Sequence, residues 1–183
     1  MKRIHIILMA LCLAFTSRAY AQRYLPGMCG LQFTAGTTQN GFHSGIAFSS
    51  YNKHADRWVF GAEYLEKQHP YKDTNIPQSL FTVDAGYYLK FLSDPSKTFF
   101  LSLGASAMAG YETINWNDKV LSDGATINNG DAFLYGGALT LELETYLTNR
   151  IVLLVNARER LLMGSSVERF HTQFGLGLKF IIN

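Results

Sequence analysis

The sequence predicts an all-β protein, specifically an eight-stranded antiparallel up-and-down transmembrane β-barrel. Three observations predict this fold class: apolar residues recur with period two, several such stretches exceed ten residues, and short and long connections alternate. No run of eighteen apolar residues occurs, which excludes a helical membrane protein. Disorder is excluded because 48% of the residues are hydrophobic and 14% are aromatic.

Residues 1–21 have the three parts of a cleaved signal peptide. Lys2 and Arg3 give a positive start, an apolar stretch (IILMALCLAF) follows, and a small-x-small site (AYA) ends the segment. The remaining residues 22–183 are predicted to form a single outer-membrane β-barrel domain. The signal therefore predicts export to the bacterial outer membrane.

Removal of the signal peptide changes the charge and the cysteine content. Lys2, Arg3 and Arg18 leave with it, so the formal net charge changes from +2 to −1. Because this removes the only basic excess, we expect no direct nucleic-acid binding. Cys12 also leaves, and Cys29 remains as a single cysteine that has no partner for an intrachain disulfide.

Eight segments alternate apolar and small or polar residues, as half-buried strands do. In chain order they cover residues 31–35, 42–50, 58–64, 81–91, 99–109, 133–143, 151–157 and 170–182. Eleven residues tilted near 45° cross the apolar band of an outer membrane, which is about 25 Å thick. The lengths therefore match a membrane better than a soluble sandwich, whose strands usually have about five or six residues.

The connections predict which end of the barrel faces which side. Short turns are expected at 52–56, 92–97 and 148–150, and longer loops at 66–78, 112–130 and 163–169. Short turns at one rim and longer loops at the other are typical of bacterial outer-membrane barrels. We expect both ends of the barrel chain to be periplasmic and the first two of the longer loops to contact partners.

The apolar face of these strands is predicted to meet lipid. The opposite face combines small residues with nearly all of the charge, at Arg57, Glu63, Asp84, Lys90, Glu142, Glu144, Arg158, Arg160 and Lys179. A basic residue that faces lipid at the midplane costs about 2 to 4 kcal/mol, so these side chains belong inside. They predict a lumen charge network of Asp84, Glu142, Glu144, Arg158, Arg160 and Lys179.

The turn at residues 148–150 predicts one pair within this network. A three-residue loop keeps the lumen residues of both strands on one face and sets Glu142 opposite Asn156, diagonal to Arg158. We therefore expect an ion pair between Glu142 and Arg158. Glu159 falls on the lipid side, and its distance from the turn predicts a position near the outer interface.

The sequence contains only weak signals for catalytic or metal-binding residues. His43 and Ser44 are neighbours in a strand and point to opposite faces, and His171 alternates inward. Loop oxygens that could bind calcium lack the regular spacing of a calcium loop; they belong to Asn115, Asn117, Asp118, Asp123 and Asp131. We therefore expect no catalytic residues, no cofactor and no metal.

Two further features concern insertion into the membrane. Aromatic residues near strand ends are predicted to form interfacial belts in contact with outer-membrane lipid: Trp58, Tyr64, Tyr87, Tyr135 and Phe180. Residues 177–182 (GLKFII) resemble the terminal strand that the barrel insertion machinery recognises, so this machinery is an expected partner. The segment departs from the common form because the chain ends in Asn183 rather than in an aromatic residue.

Four segments resemble a known family: AQRYLPGM (21–28), RWVFGAEYL (57–65), KFLSDPSKTFFLSLGASAMAGYETINW (90–116) and ERFHTQFGLGLKFIIN (168–183). In these segments, and along the whole mature length, the chain resembles the TraO family of conjugal transfer proteins from Bacteroides-type conjugative transposons. The resemblance implies an outer-membrane component of the machinery that passes transposon DNA between cells. It implies no catalytic residues.

Together, the residues and the resemblance predict a non-catalytic structural or docking component of a conjugation (mating) apparatus, with other conjugation proteins as partners. Two alternatives stay open at this point. One is a soluble periplasmic eight-stranded barrel that binds an apolar ligand, and the other is a small outer-membrane barrel enzyme. A general channel is disfavoured because eight strands leave an interior that side chains fill.

Overall fold

The computed structural model describes residues 27–52, 54–72, 74–119, 126, 131–165 and 169–182. The predicted signal peptide, its cleavage site and Asn183 lie outside the described residues. Within the described part of the chain, no helix is long and apolar enough to cross a membrane.

Eight antiparallel strands pair in chain order, and β8 pairs with β1 to close a barrel. The strands are β1 Cys29–Thr38, β2 Gly41–Tyr51, β3 Arg57–Tyr71, β4 Thr74–Ser93, β5 Phe99–Ile114, β6 Ala132–Tyr146, β7 Ile151–Met163 and β8 Phe170–Ile181. A 3₁₀ turn at Asn115–Asn117 follows β5. The closed eight-stranded antiparallel barrel predicted from the alternation is confirmed.

The apolar side chains face outward, as predicted. The exposed fractions of Val83, Leu139 and Leu176 are 60%, 61% and 61%. The alternate positions face inward and are buried, including charged residues such as Arg57 and Lys179 at 0% exposure. This arrangement is the reverse of a soluble barrel, in which polar residues would meet water and apolar ones would fill the interior.

Three short turns lie at the same end of the barrel, which we call the turn end. They span residues 52–56, 94–98 and 147–150, between consecutive strands. The last of these turns sets the predicted register, since Glu142 pairs with Asn156 and the backbone N–H of Leu147 donates to the carbonyl of Ile151 at 3.0 Å. We call the opposite end the loop end.

The predicted loop at residues 66–78 is wrong, because the structure places most of it in strands. β3 continues to Tyr71 and β4 begins at Thr74, and the two strands stay paired to that last residue pair. Pairing of β3 with β2 stops at Lys67, and pairing of β4 with β5 stops at Gln78. Residues 68–77 therefore project beyond the rim as a two-stranded arm, which we call the projecting hairpin.

The sequence carried little signal for the projecting hairpin. Period-two alternation arises where one strand face is buried, and the described residues at the tip of this hairpin, Pro70, Tyr71, Lys72 and Asn75, are exposed on both faces. The two prolines in the hairpin, Pro70 and Pro77, also favour a loop interpretation. Both prolines fit the observed structure because proline is tolerated on strands that have a free edge.

Apolar side chains close the lumen on both sides of its charged middle. A turn-end cluster contains Met28, Tyr51, Phe100, Tyr146, Val152, Leu154 and Ile181. A second cluster, nearer the loop end, contains Leu65, Leu80, Met108, Leu134, Ala138 and Leu162. The charged side chains between the two clusters are therefore shielded from bulk water.

Candidate functional site

The first group of buried charges lies next to the turn-end cluster, and we call it the turn-side charge cluster. Arg57 Nη2 lies 2.6 Å from Glu142 Oε1, and Arg57 Nη1 lies 3.3 Å from Glu144 Oε2. Lys179 forms an ion pair with Glu144, and its Nζ lies 3.8 Å from Glu142 Oε1. Tyr51 donates its hydroxyl to Glu144 Oε1 at 2.7 Å. Two cations thus neutralise two carboxylates.

The second group lies near the middle of the barrel, and we call it the central charge cluster. Arg158 Nη2 lies 2.7 Å from Asp84 Oδ2, and Arg158 Nη1 lies 3.2 Å from Glu63 Oε2. Arg160 forms an ion pair with Glu63 as well. Gln173 donates from Nε2 to Glu63 Oε1 at 2.6 Å. This group also balances two cations with two carboxylates.

The predicted ion pair between Glu142 and Arg158 is wrong, although both residues face the lumen. Glu142 pairs with Arg57 and Lys179, whereas Arg158 pairs with Glu63 and Asp84. Eight strands enclose a lumen narrow enough for long side chains to span it. The partners therefore come from distant strands across the lumen rather than from the diagonal position on the neighbouring strand.

All six residues of the predicted lumen network face inward, but the network is larger. Arg57 and Glu63, which the alternation places in the lumen, complete the two clusters. Lys67 and Glu112, assigned to loops from the sequence, are buried at 1% and 0% exposure. Their signal was the strand alternation continued beyond Leu65 and Gly110, which the assumed loop boundaries cut off.

The remaining space in the lumen is small. A cavity of about 30 Å³ lies beside the central charge cluster, lined by polar residues that include Gln32, His43 and Gln173. This volume holds about two water molecules, since one occupies at least 10 to 15 Å³ on this measure. The described part of the barrel therefore leaves no room for an aqueous channel.

The candidate catalytic residues lie apart from one another. His43 is buried in the lumen at 3% exposure, while its neighbour Ser44 faces outward. His43 Nε2 lies 3.3 Å from the carbonyl oxygen of Phe174, and its Nδ1 lies 3.6 Å from Glu63 Oε1. His171 is also fully buried. The alternation thus separates the histidine and the serine, as expected.

The loop oxygens proposed as weak calcium candidates have local roles where the structure describes them. Asp131 accepts hydrogen bonds from the Tyr111 hydroxyl at 3.0 Å and from the backbone N–H of Ile114 at 3.4 Å. Asn115 donates from Nδ2 to the carbonyl oxygen of Asp118 at 2.8 Å. Asp123 and the Asn117 side chain lie outside the described part of the structure. The hydrogen bonds of Asp131 link the end of β5 to the start of β6.

The five predicted interfacial aromatics all lie on the outward face. Trp58 packs edge-to-face on Tyr87 at 4.9 Å between ring centroids, near the turn end. Tyr64 packs against Phe81 at 5.0 Å, nearer the loop end. Phe180 packs against Phe33 at 6.3 Å, and Tyr135 is 55% exposed. The aromatic side chains therefore cluster in pairs on adjacent strands.

Glu159 is an acidic residue on the outward face. Thr172 donates its hydroxyl to Glu159 Oε2 at 2.6 Å. Beyond Glu159, β7 continues for four residues, and the outward-facing Leu161 and Met163 are 38% and 47% exposed. Glu159 therefore has outward-facing apolar residues on both sides of it along β7, and its predicted depth near the outer interface stays a prediction.

Comparison with known proteins agrees with this architecture. A family model described as "Conjugative transposon protein TraO" matches residues 22–182. Comparison with curated proteins gave no match. The chain is similar to the crystal structure of neisserial surface protein A, with a TM-score of 0.56, 13% identity, and coverage of 85% of this chain and 97% of that chain.

A second similar structure is Ail, the attachment invasion locus protein of Yersinia pestis. The TM-score is 0.53, the identity is 8%, and the match covers 85% of this chain and 97% of that chain. At such low identities the likeness shows the fold alone. The fold is that of the eight-stranded outer-membrane barrels, which confirms the transmembrane β-barrel predicted from the sequence.

Proposed function

Because the chain belongs to the TraO family of conjugative transposon proteins, we propose that it is a non-catalytic structural or docking component of the conjugation apparatus in the bacterial outer membrane. The family and the barrel fold identify a conjugation-related membrane component. The finer role, which is to present a rigid anchor to other conjugation proteins, is our proposal. The single observation that carries it is a sealed, charge-balanced lumen combined with a structured arm outside the barrel.

The sealed lumen supports an anchoring role over transport. Two apolar clusters close the lumen, and two charge clusters cross-link opposite walls between them. Ion pairs that span a barrel hold its cross-section fixed, which suits a part that positions other proteins. We therefore expect no stable conductance from the purified protein in planar bilayers.

The outward face supports insertion into the outer membrane. Exposed apolar side chains surround the barrel, and paired aromatics lie toward its two ends, where they would form interfacial belts. β8 closes the barrel against β1 and contains most of the segment proposed to engage the insertion machinery. Lipid and that machinery are therefore the first two partners in our proposal.

The projecting hairpin is the proposed contact surface for another conjugation protein. Residues 69–77 have strand partners only within the hairpin, and its described tip residues Pro70, Tyr71, Lys72 and Asn75 are exposed. At its base, Gln68 donates its backbone N–H to the carbonyl oxygen of Asn40 at 3.0 Å. Tyr71 is 38% exposed, and Lys72 Nζ lies 5.1 Å from its ring centroid. The 3₁₀ turn at Asn115–Asn117, which follows β5, contacts β4.

Replacing residues 68–77 by a two-residue Asn-Gly turn tests this proposal. Lys67 and Gln78 are directly opposite each other, so a two-residue turn joins them and leaves the strand pairing of the barrel in place. The variant is introduced into a donor strain that lacks this gene but retains the rest of the transposon. We expect wild-type amounts of heat-modifiable barrel in the outer membrane and a loss of transfer.

A conservative variant keeps this test informative. Lys97→Ser removes one exposed lysine from a short turn at the opposite end of the barrel, so it should leave transfer at the wild-type frequency. Wild-type transfer frequency with the hairpin removed would contradict the proposed contact surface. Transfer that is unaffected by deletion of the whole gene would contradict the proposed role.

The two alternatives fit the geometry less well. A soluble barrel that binds an apolar ligand needs an apolar cavity, but the lumen is filled by charged and small residues. A barrel enzyme needs a nucleophile beside a base, and the strand alternation sends His43 and Ser44 to opposite faces. Recovery of the protein from the soluble periplasm without detergent would favour the first alternative over our proposal.

A further inference from the structure

The outer surface carries one feature that lipid alone does not explain. Among the described strand residues, two outward-facing positions are acidic, Glu66 and Glu159, and none carries lysine or arginine. Glu66 lies at the loop-end rim, where it accepts hydrogen bonds from Tyr64 and Gln68. Glu159 is surrounded instead by apolar surface, and Thr172 is its one side-chain partner in the described part of the chain.

The strand geometry gives the depth of Glu159. It lies four residues before the end of β7, and strands in such barrels are tilted by about 35 to 45°. At about 3.3 Å per residue, the carboxylate lies roughly 10 Å from the loop-end rim along the barrel axis. Phe170, which is 61% exposed, and Leu161 cover the surface between Glu159 and that rim. The carboxylate is therefore not a rim residue.

The outward surface of β4 to β8 carries two shallow grooves, one of which contains Glu159. A shallow groove of about 250 Å³ contains Glu159 and Thr172 together with Ala157 and Leu139. A second groove of about 370 Å³ lies on β4 and β5, where the outward side chains of Ala85, Ala107 and Ala109 are small. Gly137 faces outward between the two grooves, opposite Ala107. Small residues here allow a neighbouring backbone to approach closely, as they do at contacts between membrane helices.

We propose that the outward face of β5 to β8 around Glu159 is a docking surface, within the membrane, for a second membrane protein that presents a lysine or arginine to this carboxylate. The inference rests on the proposed function, because it requires the barrel to be inserted in the outer membrane. A charged pair inside an apolar layer attracts strongly because little water screens it. The small side chains beside Glu159 let the backbone of a partner protein come close enough to form such a pair.

Charge complementarity selects this occupant over a second copy of the chain. A second copy has no outward-facing basic residue on its described strands with which to pair Glu159. A lipid amine that paired with Glu159 instead would give no protein adduct in the test below. The short side chains beside Glu159 favour a protein segment, because they let its backbone approach closely.

Site-specific photocrosslinking in donor cells that carry the full transposon tests the proposal. A photoreactive residue is placed at Leu161, beside Glu159 on the outward face of β7, and in a separate variant at Phe60 on the opposite wall. We expect an adduct with one membrane protein, identified by mass spectrometry, from position 161 and not from position 60. Glu159→Gln should lower the adduct yield about tenfold, as expected for loss of a charge pair.

The matched control is Glu66→Gln, the same substitution at the other outward carboxylate, which should leave the adduct unchanged. Glu159→Gln removes a charge from the lipid-facing wall, so the barrel should still fold. A second variant, Glu159→Lys, should abolish the adduct, and replacing the partner's basic residue by glutamate should restore it. Equal adduct yields from wild type, Glu66→Gln and Glu159→Gln would overturn the docking surface.

The failure of this inference is distinguishable from failure of the proposed function. Membrane fractionation of the same cells reports whether the barrel is in the outer membrane. A barrel that is inserted but gives no adduct dependent on Glu159 overturns the docking surface and leaves the anchoring role in place. A chain that is absent from the outer-membrane fraction overturns both.

Discussion

Arg57 and Glu142 meet across the lumen at 2.6 Å between Nη2 and Oε1, although their strands are separated by β4 and β5 around the wall. Both side chains are almost fully buried, at 0% and 2% exposure. Arg57 also lies 5.0 Å from the ring centroid of Tyr88, its cross-strand neighbour on β4. One arginine thus links the paired strands β3 and β4 to β6, with which neither of them pairs.

A double-mutant cycle should couple Glu142 to Arg57 and not to Arg158. Breaking a buried pair by removing one partner costs about 3 to 5 kcal/mol, and less where water enters. We therefore expect Arg57→Met to destabilise the barrel and Glu142→Met, added to it, to recover part of the loss. Urea unfolding in lipid vesicles, followed by the gel shift of the folded barrel, measures the free energies of unfolding.

The same cycle with Arg158→Met and Glu142→Met is the matched control. These residues lie in the lumen but share no ion pair, so their effects should add within about 0.5 kcal/mol. A coupling energy for this second pair that equals or exceeds the first would show that the cross-lumen pairing is incorrect.

Gly36→Ala should prevent β1 from closing against β8. A Cβ at Gly36 would lie 2.0 Å from the carbonyl oxygen of Phe174 and 2.6 Å from the Cα of Gly175. Both are backbone atoms of the closing strand, so the contact cannot be relieved by a change of rotamer. We expect destabilisation of about 3 kcal/mol, at the upper end of ordinary overpacking, measured as loss of folded barrel after refolding into detergent.

Gly137→Ala is the control for this effect. A Cβ at Gly137 faces outward and meets one atom within 4 Å, the carbonyl oxygen of Ser106 at 3.1 Å. A small adjustment accommodates it, so the folded fraction should stay near the wild-type value. Equal loss of folding in both variants would point to a general sensitivity to added methyl groups rather than to closure of the barrel.

Asp94 should make the turn between β4 and β5 sensitive to pH. Its carboxylate accepts hydrogen bonds from the backbone N–H groups of Thr98 at 2.8 Å and Phe99 at 2.7 Å, and from the Ser96 hydroxyl. Partial burial acts to raise the pKa of Asp94, but the hydrogen bonds from Phe99, Ser96 and Thr98 outweigh it and hold the pKa below its usual value.

The sign of the pH effect follows from this lowered pKa. The stabilisation is fully present above the ordinary pKa of an unfolded aspartate, about 3.9, and is lost as the pH falls through the lower folded value. Wild type should therefore be more stable than Asp94→Ala at pH 7, and the difference should narrow below about pH 4. A difference that stays constant over this range would contradict a role for the ionised carboxylate.

The two tryptophans of the chain should report opposite environments. Trp58 lies on the outward face and is 48% exposed, whereas Trp116 lies in the 3₁₀ turn at the loop end and is 65% exposed. In vesicles whose acyl chains carry bromine, Trp116→Phe, which retains Trp58, should be strongly quenched. Trp58→Phe, which retains Trp116, should be quenched weakly, and the reverse order would contradict insertion of the barrel wall into lipid.

The sequence by itself determined the strand number, the strand order and the faces of the residues within the eight predicted segments. Alternation of period two is maintained where one strand face is buried, because a shift by one residue would send every side chain to the wrong face. The exception is the irregularity in β4 between Lys90 and Leu92. The same rule fixed the pairing of Glu142 with Asn156, since the length of the turn sets the register of a hairpin. These are local properties of neighbouring strands.

The tertiary structure alone decided which lumen charges meet and where the barrel wall ends. Glu142 meets Arg57 rather than Arg158 because closure of the barrel brings distant strands within reach of one long side chain, a distance that no sequence spacing encodes. The strands on either side of Lys72 escaped prediction because the residues at the tip of this hairpin are exposed on both faces, which removes the alternation. The local sequence pattern therefore determines the strands of the barrel wall, and closure of the barrel determines which side chains meet in the lumen.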